Sequence, residues 1–285
     1  MATVYEIITE RIIEKLEAGV IPWRKTWDAP EPKNLISKKV YRGINYFLLN
    51  CLSDEYFLTY NQAKALGGEV RKGSKGIPVV FWQQTKYSKK ETPDKEERGM
   101  MIRYYTVFAA SDVDGIEDKI PASVTTKRSA TYDEFTANHK AQLIINNWED
   151  KPDMQFEGKR ACYIPSLDII KLPEEKRFFS TTEYYSAAFH ELIHSTGHAS
   201  RLARKEVMEP SRFASHDYAQ EELVAELGSV FLCHLSEINS TLDNSAAYIN
   251  GWLKALRAEP KMLIKAAGKA QHAADMIIGH IMEEA

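Results

Sequence analysis

Residues 190 to 198 read His-Glu-Leu-Ile-His-Ser-Thr-Gly-His. His190 and His194 are four residues apart, so on a helix they share one face and can hold one metal ion. Glu191, beside the first of them, puts a carboxylate where it can take a proton from a water molecule at that ion. This is the HExxH pattern: two imidazoles for Zn2+ and a neighbouring carboxylate as general base, the equipment for hydrolysing a peptide bond. The pattern also occurs in unrelated helices, so the surrounding sequence must carry part of the argument.

A zinc site of this kind needs a third protein ligand. His198 is eight residues from His190, about 12 Å along a continuous helix, and cannot meet the same ion. The longer pattern HExxHxxGxxH fits at Gly197 but fails at its last position, which is Ser200. The remaining source is downstream, in Tyr218-Ala-Gln-Glu-Glu-Leu-Val-Ala-Glu-Leu-Gly-Ser-Val-Phe-Leu. Gluzincins take their third ligand from a glutamate on such a later helix. Glu222 and Glu226 share a helical face, and Ala225, Gly228 and Ser229 are small enough for close packing. The assignment is Glu222 as ligand and Glu226 behind it, orienting a ligand histidine through its other ring nitrogen. Glu221 is the alternative ligand, one residue out of register.

The element that carries the histidines is a helix from Thr181 through His194. Thr181 or Thr182 is expected to cap it, and Gly197 to end it in a left-handed conformation. Its apolar residues, Ala187, Ala188, Phe189, Leu192 and Ile193, bury it. A buried Glu191 is costly without a partner, which favours a metal over two histidines that merely satisfy hydrogen bonds. Zincins lay an edge strand beside such a helix, to which extended substrates add; Tyr163 to Leu172 resembles that strand, with Asp168 either interrupting it or turning the chain. Tyr163, Tyr184, Tyr185 and His216 are unranked candidates for a group acting on the transition state.

The chain has 285 residues, with 44% hydrophobic and 27% charged residues and a net charge of −3. These values suit a globular chain of one large or two smaller domains. No apolar run approaches a membrane span, and the first helix is punctuated by Glu6, Glu10 and Glu14, so neither a membrane anchor nor a signal peptide is expected. The three cysteines, Cys51, Cys162 and Cys233, are scattered and read as free thiols of a cytoplasmic protein. Charge is uneven: through Arg128 there are 21 Lys and Arg against 17 Asp and Glu, and beyond it 16 against 23. A basic front and an acidic rear predict two domains, 1–125 and 126–285, meeting in a polar, weakly periodic stretch.

In the front half, residues 4 to 18 predict a helix with Ile8, Ile12 and Leu16 on one face and Gly19 ending it. Val70 to Trp82 predicts a glycine turn feeding a strand, and Ile102 to Phe108 its partner. The charged stretch Lys86 to Arg98 reads as the loop between them. Cations (Arg24, Lys25, Lys38, Lys39, Arg42, Arg71, Lys72, Lys75) alternate with aromatic residues (Trp23, Trp27, Tyr41, Tyr46, Trp82). Single-stranded nucleic acid is gripped by that combination, cations on phosphates and rings on bases. The competing reading is a small α+β domain whose rings, Trp23 and Trp82 in particular, belong to the core.

Taken together, these pieces resemble the ArdC-type antirestriction family carried by conjugative plasmids and integrative elements. The resemblance rests on Pro22-Trp23 with Trp27, Tyr41-Arg42-Gly43-Ile44-Asn45, Gln62 to Gly67, and Lys72-Gly73 with Lys75. In the rear half it rests on Ala161 to Pro173, the 190–198 block with Arg201-Leu202, and Glu221 to Glu226. It implies an α+β chain: a small α+β front domain that binds single-stranded DNA, then a mainly helical zincin-like metallopeptidase domain with a small sheet. It also implies a role in protecting incoming mobile DNA from host restriction.

The resulting expectation is a peptidase site with Zn2+ on His190, His194 and Glu222 and Glu191 as base, acting on a host restriction-system or other protein. The DNA contacts expected are Arg24, Lys25, Lys38, Lys39, Arg42, Arg71, Lys72 and Lys75 with Trp27 and Tyr41. A rival is a DNA-binding antirestriction protein that cuts no bond and whose metal site is structural or vestigial. A metal-dependent nuclease fits less well, because nucleases favour carboxylate-rich sites for hard ions.

Overall fold

The computed structural model describes residues 3–18, 31–50, 52, 54–89, 92–121, 134–209, 216–238 and 246–279. The chain forms two compact units, one of residues 1–12 with 29–126, the other of 13–28 with 127–285.

Helix α1 (Val4–Glu17), whose residues through Ile12 belong to the first unit, buries Ile8, Ile12 and Leu16 at four-residue spacing. Then follow β1 (Lys33–Asn34), α2 (Ile44–Leu49), β2 (Tyr56–Thr59), α3 (Tyr60–Ala65), β3 (Glu69–Val70), β4 (Ile77–Lys89), β5 (Thr92–Ala109) and β6 (Val113–Asp114). A capping box starts α3: Gln62 N donates to Thr59 Oγ1 at 3.2 Å, and Thr59 N donates to Gln62 Oε1 at 2.9 Å. The main sheet has the order β1-β2-β5-β4. Phe57 and Leu58, consecutive in β2, point to opposite faces and seed two cores. Phe57 packs with Tyr41, Leu49, Val79 and Val107, and Leu58 with Leu35, Ala63, Val113 and Ile116. At the edge of the sheet, Asn45 replaces a missing strand: its side chain donates to Val80 O and accepts from Val80 N, both at 2.7 Å.

The β4–β5 ladder runs from Ile77↔Val107 to Ser88↔Glu96, with a register shift before Lys89↔Thr92. The stretch read as a loop from its charge, 86–98, is therefore mostly paired strand. Charge does not forbid this, because the bonds of an antiparallel ladder are all backbone.

The second unit contains α4 (Glu134–Asn147), β7 (Asp153–Phe156), β8 (Cys162–Ile164), β9 (Ile169–Leu172), α5 (Thr181–Ser195), α6 (Lys205–Met208), α7 (His216–Leu235), α8 (Ala246–Ala258) and α9 (Lys261–Ile278). Its sheet has the order β7-β9-β8. The single strand expected from Tyr163 to Leu172 is two, and only β8 lies at the edge. Asp168, at φ 51°, turns the chain between them. Its carboxylate accepts from Tyr163 Oη at 2.8 Å and from both terminal nitrogens of Arg201.

Helices dominate the rest. Gly228 of α7 lies against Ile193 of α5 so closely that a Cβ there would stand 2.7 Å from Ile193 Cδ1. Ala266, Ala270, Ala273 and Ala274 give α9 a buried stripe of small residues. No described helix is long and apolar enough to cross a membrane. The whole is α+β, with small sheets and a mainly helical second unit.

Candidate metal centre

Helix α5 starts one residue before the expected caps: Ser180 Oγ accepts from Glu183 N at 3.2 Å. It ends at Thr196, which is right-handed, and Gly197 is not in the left-handed region. The glycine serves another purpose. A Cβ at 197 would meet Val207 Cγ2 at 2.5 Å and Arg204 Nη2 at 3.0 Å, so its absence lets the following loop fold back onto the end of α5.

On α5, His190 Nε2 and His194 Nε2 converge to 3.1 Å. From α7, Glu222 brings Oε2 to 3.6 Å from His190 Nε2 and Oε1 to 3.7 Å from His194 Nε2. One donor atom from each of the three residues lies within 4.8 Å of the others. Ligands ~2.0–2.1 Å from a tetrahedral ion stand roughly 3.3 Å apart, so these separations bracket what one ion requires. The contact of Gly228 with Ile193 brings the two helices close enough for this.

Each histidine has a carboxylate behind it. Glu226 Oε2 lies 3.7 Å from the buried His190 Nδ1, which has no closer hydrogen-bond partner among the described residues. Glu221 Oε1 lies 3.1 Å from His194 Nδ1. Arg204 Nε and Nη2 donate to the two oxygens of Glu221 at 2.9 and 2.7 Å. Glu221 thus lies behind His194 with both oxygens held by Arg204, where it can accept a proton from His194 Nδ1 and leave Nε2 free. Arg204, itself buried, also donates to Thr196 Oγ1 at 2.6 Å and Ile193 O at 2.8 Å.

Protonation follows from this crowding. Burial works against charge on His190, but Glu222 and Glu226 outweigh it and hold its pKa well above the ordinary value. Burial also pushes Glu222 up, yet His190, His194 and the Tyr218 hydroxyl bring it down to about 2. Burial raises Glu221 too, and His194 and Arg204 more than reverse it. A cluster that gathers a proton among three carboxylates is one where a cation is welcome, and the donor set fits a divalent ion.

Glu191 is buried, next to His190 on α5. Burial raises the Cys162 thiol pKa, and the charge of Glu191 adds to the rise, so edge strand β8 runs within the field of the site. His198 stands apart, its Nδ1 2.8 Å from Ser200 Oγ. Tyr163 is occupied by Asp168, and the Tyr185 hydroxyl donates to Gln142 Oε1 at 3.1 Å. The side chain of His216 lies outside the described residues. Cys162 and Cys233 are free thiols, and Cys51 lies outside the described residues.

In the first unit, Lys38, Lys39, Arg42, Lys72 and Lys75 are exposed. Lys38 Nζ sits 5.1 Å from the centre of the Tyr56 ring. Arg71 is exposed and 3.2 Å from Asp114 Oδ1. Tyr41, expected to stack on DNA, is only 7% exposed and packs edge-on against Phe57, so its ring belongs to the core. Arg24, Lys25 and Trp27, with Trp23, lie outside the described residues. Trp82 is on the surface.

Residues 2–108 match the N-terminal domain of anti-restriction factor ArdC, and residues 139–269 match a zincin-like metallopeptidase family. The metal-free crystal structure of the antirestriction ArdC protein from plasmid R388 is 35% identical, with a TM-score of 0.75 over 98% of each chain. Its Mn(II)-bound structure gives 0.74 over the full length of both. DNA primase TraC of Escherichia coli is 34% identical over 96% of this chain, which spans only 20% of the length of that protein. The uncharacterized protein y4eC of Sinorhizobium fredii is 33% identical over 95% of this chain and 90% of its own length. With a relative of known structure matched from end to end and both halves matched in the same order, the chain belongs to the ArdC antirestriction family and carries a zincin-like domain.

Proposed function

We propose that the chain is an antirestriction protein of a mobile genetic element that joins two activities. Its rear unit hydrolyses a peptide bond in a host protein with Zn2+ as cofactor, and its front unit grips single-stranded DNA. The setting is the cytoplasm, where entering DNA meets restriction enzymes. The peptidase reading is carried by one observation: His190, His194 and Glu222 converge within 4.8 Å with Glu191 next to the first of them. Two imidazoles and one carboxylate are a donor set that suits zinc, whereas harder ions and nuclease sites favour oxygen.

When bound, the ion would supply Lewis acidity and lower the pKa of a water molecule toward ~7. The chain supplies the rest. Glu191 takes the proton of the attacking water and delivers it to the departing amine. Glu226 steadies His190, and Glu221 with Arg204 steadies His194. Edge strand β8 offers an extended peptide a place to add.

The rival reading, a protein that shields DNA and cuts nothing, leaves Glu191 without a task, since a structural site needs no base. Restriction protection by Glu191→Ala, compared with wild type, separates the two. Lost protection puts hydrolysis in the pathway; full protection assigns the effect to the front unit alone.

The DNA reading is supported by the exposed cations of the front unit and by the match of this whole module within a DNA primase. Binding of a single-stranded oligonucleotide is expected to weaken with salt. Release of ions by Lys72, Lys75 and Lys38 alone predicts a slope of about −2 in log K against log salt. A titration that shows no slope sinks the phosphate contacts.

A further inference from the structure

We propose that the face of the β4–β5 ribbon formed by Phe81, Arg103 and Tyr105 is a base-stacking platform for single-stranded DNA. The proposal rests on the front-unit reading above and replaces the buried Tyr41. Phe81 and Tyr105 are 43% and 47% exposed, with ring centres 5.4 Å apart at 70°. Arg103 is exposed and directly opposite Phe81, and Tyr105 is opposite Val79. Cross-strand partners share a face and residues two apart return to it, so the three side chains stand together. Toward the sheet, the same face buries Val79 and Val107 in the core. The platform is therefore fixed at its base and open above.

Two large rings left in water call for a partner, and the charge around them says which. Residues 70–85, which include the entry turn and the part of β4 that carries Phe81, hold three Lys and Arg and no Asp or Glu. Residues 98–111 contain no carboxylate either. Glu91, Asp94, Glu96 and Glu97 fall between those stretches in the sequence. A second copy of the chain would set cations against cations. A polyanion with flat, unpaired bases matches both cations and rings, and a duplex, whose bases are already stacked, offers the rings nothing.

The test is the affinity of the full chain for a labelled oligothymidylate, read by fluorescence anisotropy at low salt. Phe81→Leu with Tyr105→Leu keeps apolar bulk and removes both rings; binding is expected to fall roughly 30-fold or more. Phe81→Tyr with Tyr105→Phe keeps the rings and should stay within about 3-fold of wild type. Tyr104→Leu alters the opposite face and should also stay within about 3-fold. Arg103→Glu, at an exposed position that the fold does not need, is expected to cost about 10-fold and serves if the leucine pair fails to fold. If wild type binds and both the leucine pair and Arg103→Glu bind equally well, the platform is wrong and the front-unit reading stands. Equal losses from the two faces overturn the assignment to this one. No binding by wild type overturns the reading and the platform together.

Discussion

Glu191→Gln is expected to leave metal binding intact while peptide hydrolysis falls by a factor of ~10²–10⁴. The amide keeps the size and position of the side chain on α5 but cannot take a proton from water. The direction separates roles cleanly. His190, His194 and Glu222 converge without Glu191, so the ion should stay at one per chain. If hydrolysis survived, Glu191 would not be the base. If the ion were lost instead, Glu191 would be a ligand, and the assignment of Glu222 would fail with it. Stoichiometry by metal analysis and turnover of a labelled protein substrate, on the same preparation, give both readouts.

The second large effect is on stability. Arg204→Met should destabilise the rear unit by about 3–5 kcal/mol, because it strands the buried carboxylate of Glu221 without its cation. Arg204 makes two bonds to Glu221 and ties down Thr196 Oγ1 and Ile193 O as well. Adding Glu221→Gln to Arg204→Met removes the stranded charge and should recover part of the loss. Denaturant midpoints of the two single variants and the double variant form a cycle. Additive losses would mean the pair is not coupled as its geometry requires.

The histidine helix and the acidic helix were legible because their spacing is chemistry. A pair of histidines at four residues and glutamates at four residues mark faces, and small residues at 225, 228 and 229 mark where the faces meet. Gly228 against Ile193 is that contact. What spacing could not supply was the source of the balancing charge. Arg204 lies in a short loop with no periodicity, and nothing local marks it as buried. The signal was indirect: Glu221 and Glu222 side by side at the start of an apolar helix require cations from elsewhere. Adjacent residues on a helix point about 100° apart, so Glu222 faces both histidines while Glu221 reaches only the back of His194.

The front unit was harder to read. An aromatic residue among cations looks the same in a core as on a surface, and Tyr41 went to the core because α2 and β2 close over it with Leu49 and Phe57. The ribbon was hidden by its own charge. Lysines and glutamates from 86 to 98 read as loop, and only backbone pairing, which composition does not reveal, carries the strands through them.

Calorimetric titration of the metal-free chain with Zn2+, for wild type and for Glu222→Ala, tests the centre of this account most directly. Wild type should take up one ion per chain. Glu222→Ala should bind it far more weakly, beyond the ~10–100-fold cost of losing an outer, supporting residue. Equal affinity in the two proteins would contradict the site built on His190, His194 and Glu222.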